Sequence, residues 1–388
     1  MSLAVPGFLY SAAPARVLFG QGRSKMLHAE LGHLGVTRVL VACTSSGEAR
    51  YREVIAALGA SCASVFAQAQ PHCPEPVAEA ALDAFAAWGA DGVVTIGGGS
   101  TIGLGKVIAA RRQVPFIAIP TTLSGSEMTA LYGMKIGQEK RTWTDPNAKA
   151  RTVIYDPDLT ATLPKHETAT TGMNCLAHCV EALYAAQPNP IATLLALDGI
   201  RALYSALPRV IERNDIESRA GALYGGFLGG LLVSMVGIGL HHKICHVLGG
   251  RFDLPHGETN SVILPHVVAF NAPAMPAVIG DMARASGTSD FVAAIFALAK
   301  LIGAPMSLRE LGLAYSDLDP VAEEIAAKAT ANPRPVTADD IKRLLRDAWE
   351  GRHPSHFSGM ARAAANATQQ TKHEIQGENN VRSVPARN

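Results

Sequence analysis

The chain has no CxxC pair, no excess of charge of either sign and no internal repeat, and each absence removes a class of protein. Its six cysteines, Cys43, Cys62, Cys73, Cys175, Cys179 and Cys245, are scattered along 388 residues. That pattern excludes a disulfide framework and, with no secretory leader visible, predicts a reducing, cytoplasmic setting. Cys175 and Cys179 could ligate zinc from one helix face, but without a second pair they read as small buried residues. Lys and Arg number 34 against 33 Asp and Glu, a net charge of +1. No basic stripe or acidic tail therefore points to nucleic acid or an anionic membrane, and a small-molecule substrate is the natural partner. One uncharged run, GALYGGFLGGLLVSMVGIGL at 221–240, is long enough to span a bilayer. Its glycines suit close helix packing and it runs straight into a histidine-rich segment, so it is expected to be one fully buried helix of a helical domain, with no other convincing span in the chain.

A chain of this length is expected to divide into two domains. Up to about residue 158, short apolar runs alternate with helical patterns: RVLVAC (38–43), EVIAALGA, DGVVTIGGGS (91–100), TIGLGKVIAA and PFIAIPTT (115–122). This is the pattern of an α/β, Rossmann-like domain with a parallel sheet and crossover helices. Prolines punctuate YDPDLTATLP, and from residue 159 to 362 Ala/Leu-rich periodicity predicts an all-α domain. Residues 363–388 are polar and are expected to form a disordered tail.

Two loops in the first half carry anion chemistry. TIGGGSTIGLGK ends a strand in Gly97, Gly98, Gly99 and Ser100 and then opens a helix. Glycines let the backbone approach an anion, and the amides of a helix start supply donors. It is not the GxGxxG fingerprint, because the spacing differs and it follows a later strand. IPTTLSGSE brings Thr121, Thr122 and Ser124 to the same sheet edge, and the pair of loops predicts a dinucleotide cleft. In the second half, GLHHKICHVLGGRFDLPHG (239–257) places His241, His242, His246 and His256 within a few turns. Histidine can bind metal, move protons or fill a core.

GGGS with Lys106, PTT with GSE, Asn174 with His178, HxxxHVLGG, and LPHG followed by LPHVVAFN occur in that order and resemble the iron-containing alcohol dehydrogenase superfamily. HHKICHVLGGRFDLPH, NPI (189–191) and YDP (155–157) are most similar to its maleylacetate reductase branch. The resemblance covers the chain to about residue 362. It implies NADH or NADPH in a cleft between a Rossmann-like and a helical domain, a homodimer, and reduction of a small dicarboxylate in aromatic breakdown. The superfamily's metal ligands, an aspartate and three histidines, map onto Asn174, His178, His242 and His256. The carboxylate is missing, so no metal is expected. His242, His256, His178 and His246 are then the catalytic candidates, with Asn174, His241, Arg251 and Lys243 as substrate contacts. Gly97, Gly98, Gly99, Ser100, Thr121, Thr122, Ser124, Thr44 and Lys140 are the cofactor candidates. Many superfamily members carry an acid where Thr44 stands, at the adenosine ribose, so neither NADH nor NADPH is expected to be excluded. Gly103 replaces the aspartate of GGGSxxD, and HGETN stands where HAETH is common in the branch. His28, His33, His72, His166, His353 and His373 receive no role. The competing expectations are a metal-dependent alcohol dehydrogenase and a lyase resembling dehydroquinate synthase.

Overall fold

A computed structural model of the chain describes residues 16–137, 139–328 and 331–354; the tail expected at 363–388 lies outside them. The strands are β1 (Arg16–Phe19), β2 (Val39–Ala42), β3 (Cys62–Phe66), β4 (Gly92–Gly97), β5 (Phe116–Pro120), β6 (Leu131–Ile136), β7 (Glu139–Thr144) and β8 (Thr152–Tyr155). Six of them form one sheet in the order β1-β8-β5-β4-β2-β3, every neighbouring pair parallel. The four inner strands are buried on both faces, so their sequences are continuous apolar runs such as VLVA and FIAIP. Chain order reverses between β2 and β4, and the crevice at such a reversal is where open α/β sheets bind ligands.

Five helices accompany the sheet: α1 (Leu27–Leu34), α2 (Ser45–Arg50), α3 (Arg52–Ala56), α4 (Glu75–Ala87) and α5 (Gly99–Arg112). Val39, Val41, Ile96 and Ile117 face α1 in one small core. Leu40, Phe116, Val153 and Tyr155 point the other way, into a core continuous with that of the helical half. An antiparallel hairpin, β6–β7, follows β5. β7 (EKRTWT) is polar and mostly exposed, whereas β6 (LYGMKI) is half-buried and turns Met134 into the core, with Tyr132 and Ile136 packed against it.

The helical half comprises α6 (Lys165–Ala182), α7 (Pro190–Glu212), α8 (Ile216–Val236), α9 (Leu240–Phe252), α10 (His256–Asn271), α11 (Pro276–Ser286), α12 (Phe291–Leu301), α13 (Leu318–Ala327) and α14 (Ala338–Glu350). The apolar run at 221–240 does not form one fully buried helix. Gly237, at φ 78°, ends α8, and about half of its apolar stretch (50%) is buried. A second helix, α7, is also long and apolar enough to cross a membrane; both pack against α6 in the bundle. The glycines of α8 let the cofactor-loop side of the molecule touch it directly. A Cβ on Gly230 would stand 2.5 Å from the carbonyl oxygen of Gly125, itself at φ +72°.

Candidate active site

The two glycine- and threonine-bearing loops meet at the ends of β4 and β5. The Thr121 amide donates to the Gly97 carbonyl at 3.1 Å, and a Cβ on Gly98 would lie only 2.8 Å from Thr122 Cγ2. Glycine at 98 is thus required by the approach of the second loop. Gly98 is also the N-cap of α5 and offers no side chain to the first turn, which contains no acid. The amides there remain free to hold an anion. The buried hydroxyls of Thr101 and Thr122 have no partner, so the cleft holds donors that a bound dinucleotide would satisfy. Thr44 caps α2 at the end of β2, accepting from the Gly47 amide at 3.1 Å, on the other side of the crevice. Gly103 faces open space where a carboxylate would otherwise project.

Lys106 lies beneath these loops, fully buried. Its ammonium donates to Thr129 Oγ1 at 2.8 Å, the Leu131 carbonyl at 2.7 Å and Ser126 Oγ at 3.3 Å. Burial pulls its pKa down to about 7, against the attraction of buried Glu127. It secures the loop that carries Thr121, Thr122 and Ser124.

The histidines gather where α6, α9 and the start of α10 converge. Asn174, His178 and Glu181 lie at i, i+4 and i+7, one face of α6. His178 stacks on His242 with ring centroids 4.6 Å apart. His242 lies 6.4 Å from His256 and 6.2 Å from His246, and His246 lies 5.9 Å from His256. His246 and His256 are exposed to the cleft, whereas His242 is 2% exposed.

Glu181 is the central group that the sequence reading passed over. Its Oε2 lies 2.6 Å from His242 Nδ1 and accepts from the Gly239 amide at 2.9 Å, while Oε1 accepts from the His241 amide at 2.7 Å. On the opposite edge of the ring, His242 Nε2 faces Asn174 Oδ1 at 3.3 Å, and the Asn174 amide nitrogen donates to the Ser124 carbonyl at 3.5 Å. That orientation of Asn174 calls for a proton on His242 Nε2. Burial raises the Glu181 carboxyl and holds His242 well below its ordinary value. The state that meets all these conditions is a neutral pair, with the shared proton on Glu181 and an N–H on His242 Nε2. Desolvation also holds His178 well below its usual value, with His242 and His256 adding to the effect. His256 is lowered by its enclosure in the recess and then by His246 and Lys140, and as the first residue of α10 it sits at a helix end that disfavours a cation.

His241, Lys140, Arg251 and His72 lie around the His242–His256 pair. His241 is wholly buried, and its Nε2 meets the Asn260 carbonyl at 3.1 Å. It supports His242 from behind, because neighbouring residues on a helix point about 100° apart. Lys140 lies on β7 at the mouth of the histidine recess, where it depresses His246 and His256. Its own ammonium is lowered by crowding there, opposed by Asp253. Arg251 points into a surface groove and pairs with Glu324 at 3.1 Å. His72, given no role, stands 3.8 Å from Asp253 at the same mouth. Gly257 packs against Thr170, where a Cβ would come within 3.1 Å, so the HGETN variant is fitted to its neighbour on α6.

At the four mapped metal positions the chain offers three neutral imidazoles and an amide, with no anionic ligand. Asn174 and His242, two of the mapped residues, engage each other, and such a set offsets none of a divalent ion's charge. Among the described residues, the trio with donor atoms within 4.8 Å of one another is Glu181, His241 and His242. Glu181 there is already taken by two backbone amides and His242, and His241 by Asn260.

Family profiles match both halves of the chain: "Iron-containing alcohol dehydrogenase" over residues 14–157 and "Fe-containing alcohol dehydrogenase family, C-terminal" over residues 168–349. The maleylacetate reductase of Pseudomonas sp. (strain P51) is 42% identical over 348 residues, 89% of this chain and 99% of its own length. That of Rhizobium sp. (strain MTP-10005) is 43% identical over the same shares. The crystal structure of maleylacetate reductase from Agrobacterium tumefaciens superposes with a TM-score of 0.87 at 43% identity, covering 90% of this chain and 100% of that one. The chain belongs to the iron-containing alcohol dehydrogenase family of oxidoreductases, in its maleylacetate reductase branch.

Proposed function

We propose that this enzyme uses NADH or NADPH to reduce the carbon–carbon double bond of maleylacetate, giving 3-oxoadipate, without a resident metal. The family likeness supports the substrate, and the observation that carries the mechanism is the Glu181–His242–Asn174 chain. Gly97, Gly98, Gly99, Ser100, Thr121, Thr122 and Ser124 would hold the dinucleotide, with Thr44 at the ribose. A reduced nicotinamide bound there supplies a hydride to the alkene carbon β to the ketone. The electron pair of the double bond then moves toward the ketone oxygen as an enolate, a charge that hydrogen-bond donors can stabilise in place of a Lewis acid.

His256, kept neutral at the cleft wall, is the N–H donor to that oxygen. His242 gives its Nε2 proton to the α carbon. A neutral imidazole is a poor acid alone, because it would leave as an imidazolate. Here Glu181 passes its proton to Nδ1 in the same event, and the pair ends as a carboxylate beside a neutral ring, to be reprotonated from solvent. His178 packs on His242 and fixes its plane. Free thiols and the near-zero net charge suit a cytoplasmic enzyme, and a homodimer is the assembly we propose.

The test is NADH consumption with maleylacetate against a panel of aldehydes and ketones, before and after exhaustive chelation. Turnover of maleylacetate, undiminished by chelation, is expected. Activity lost on chelation and restored by metal would refute metal independence, and binding without net NADH oxidation would point to the lyase chemistry instead.

A further inference from the structure

We infer that the groove between α9 and α13 is a carboxylate subsite that holds the end of the substrate farther from the reacting double bond. The inference rests on the reading of the substrate as a dicarboxylate. Lys243, His246, Val247, Gly250 and Arg251 form one face of α9, at spacings of three, four, seven and eight residues from the first. Opposite them stand Glu324 of α13 and Lys328 at its end, and the groove encloses about 590 Å³.

Three cations and one acid line it, for a net charge of +2. The acid is already engaged twice, by Arg251 at 3.1 Å and Lys328 at 2.6 Å. Lys243 has no carboxylate partner among the described residues. It is therefore the cation that an incoming anion meets without displacing a protein group. The inner end of the groove is His246, whose ring lies 6.2 Å from His242 and 5.9 Å from His256. A molecule reacting at those two histidines extends past His246 into the cationic groove. Glu324 sets a second feature: it keeps Arg251 and Lys328 from overbinding a single carboxylate, so selectivity for the dianion falls on Lys243.

The experiment compares kcat/KM for maleylacetate with that for 4-oxopent-2-enoate, which keeps the enone and its carboxylate but lacks the far one. Wild type, Lys243→Met, Lys243→Arg and Glu324→Gln are assayed at low salt. The ratio should fall about tenfold in Lys243→Met, mostly through KM on maleylacetate, as expected for one partly exposed charge-assisted contact. Lys243→Arg should restore most of it, and Glu324→Gln should hold or raise it by freeing Arg251. An unchanged ratio in Lys243→Met, or equal losses on both substrates, overturns the subsite while leaving the reductase reading intact. A wild type that does not reduce maleylacetate overturns both.

Discussion

Replacing Glu181 with Gln tests the proton relay most directly. The carboxylate is 2% exposed and takes three nitrogen contacts, at 2.9 Å to Gly239, 2.7 Å to His241 and 2.6 Å to His242. Glutamine keeps the shape and one acceptor oxygen, but its amide nitrogen must face an N–H of Gly239 or His241, donor against donor. One lost hydrogen bond and one buried unsatisfied donor cost about 2–4 kcal/mol of stability. The catalytic loss has a different origin. With no proton to pass to Nδ1, His242 cannot release the Nε2 proton without becoming an imidazolate, and kcat should fall by about 10² to 10⁴, the range of a disabled general acid. The assay is the initial rate of NADH oxidation with maleylacetate across pH, beside NADH affinity from cofactor fluorescence. Cofactor affinity should hold within about threefold, since the nicotinamide loops do not contact Glu181. A variant that kept kcat within about threefold, with the wild-type pH profile, would show that Glu181 only packs and that His242 draws its proton from elsewhere.

Thr44→Asp should leave the fold intact, because aspartate caps a helix as well as threonine does. It should move the NADH/NADPH ratio of kcat/KM toward NADH by about tenfold or more through repulsion of the 2′-phosphate; an unmoved ratio would place the ribose away from α2. His266 gives a stability prediction. Both of its ring nitrogens are buried without a partner, and burial lowers it to about 3 from 6.5. Its folded pKa is depressed, so its stability contribution is full above the unfolded value and is lost as pH falls, when the unfolded chain takes up a proton that the folded one refuses. Between pH 7 and pH 5 this costs about 2 kcal/mol. Denaturant midpoints should show that extra loss in wild type and not in His266→Leu, and parallel pH curves would refute the assignment.

The inner strands and the two cofactor loops were legible because continuous apolar runs ending in Gly, Ser and Thr have few alternative structures. The histidine cluster was legible as composition, but not as geometry. Nothing local distinguishes His242, which faces Asn174, from its neighbour His241, which faces Asn260; the helix's rotation decides. Glu181 had a signal, a lone carboxylate at i+7 from Asn174 in an otherwise apolar stretch of α6, yet its partner lies 61 residues away. Lys106 is the same case in α5, a charge among apolar neighbours whose acceptors come from the following loop and β6. The β6–β7 hairpin stayed hidden because β7 is polar and exposed, and β6 offers the core only Met134, with Tyr132 and Ile136 half-buried beside it.

One face of the sheet shares its core with α4, α5 and the helical half. Phe116, Ala118, Val153 and Tyr155 share a single apolar cluster with Cys175, Leu203 and Leu264 of the helical half. The molecule therefore joins two architectures in one cooperative unit: an N-terminal fragment ending after β8 would present to water the part of that cluster that packs against the helical half, and its aggregation would follow from exposed apolar area. Heat or denaturant should open sheet and helices in a single transition, so the cleft cannot be lost while either half remains native.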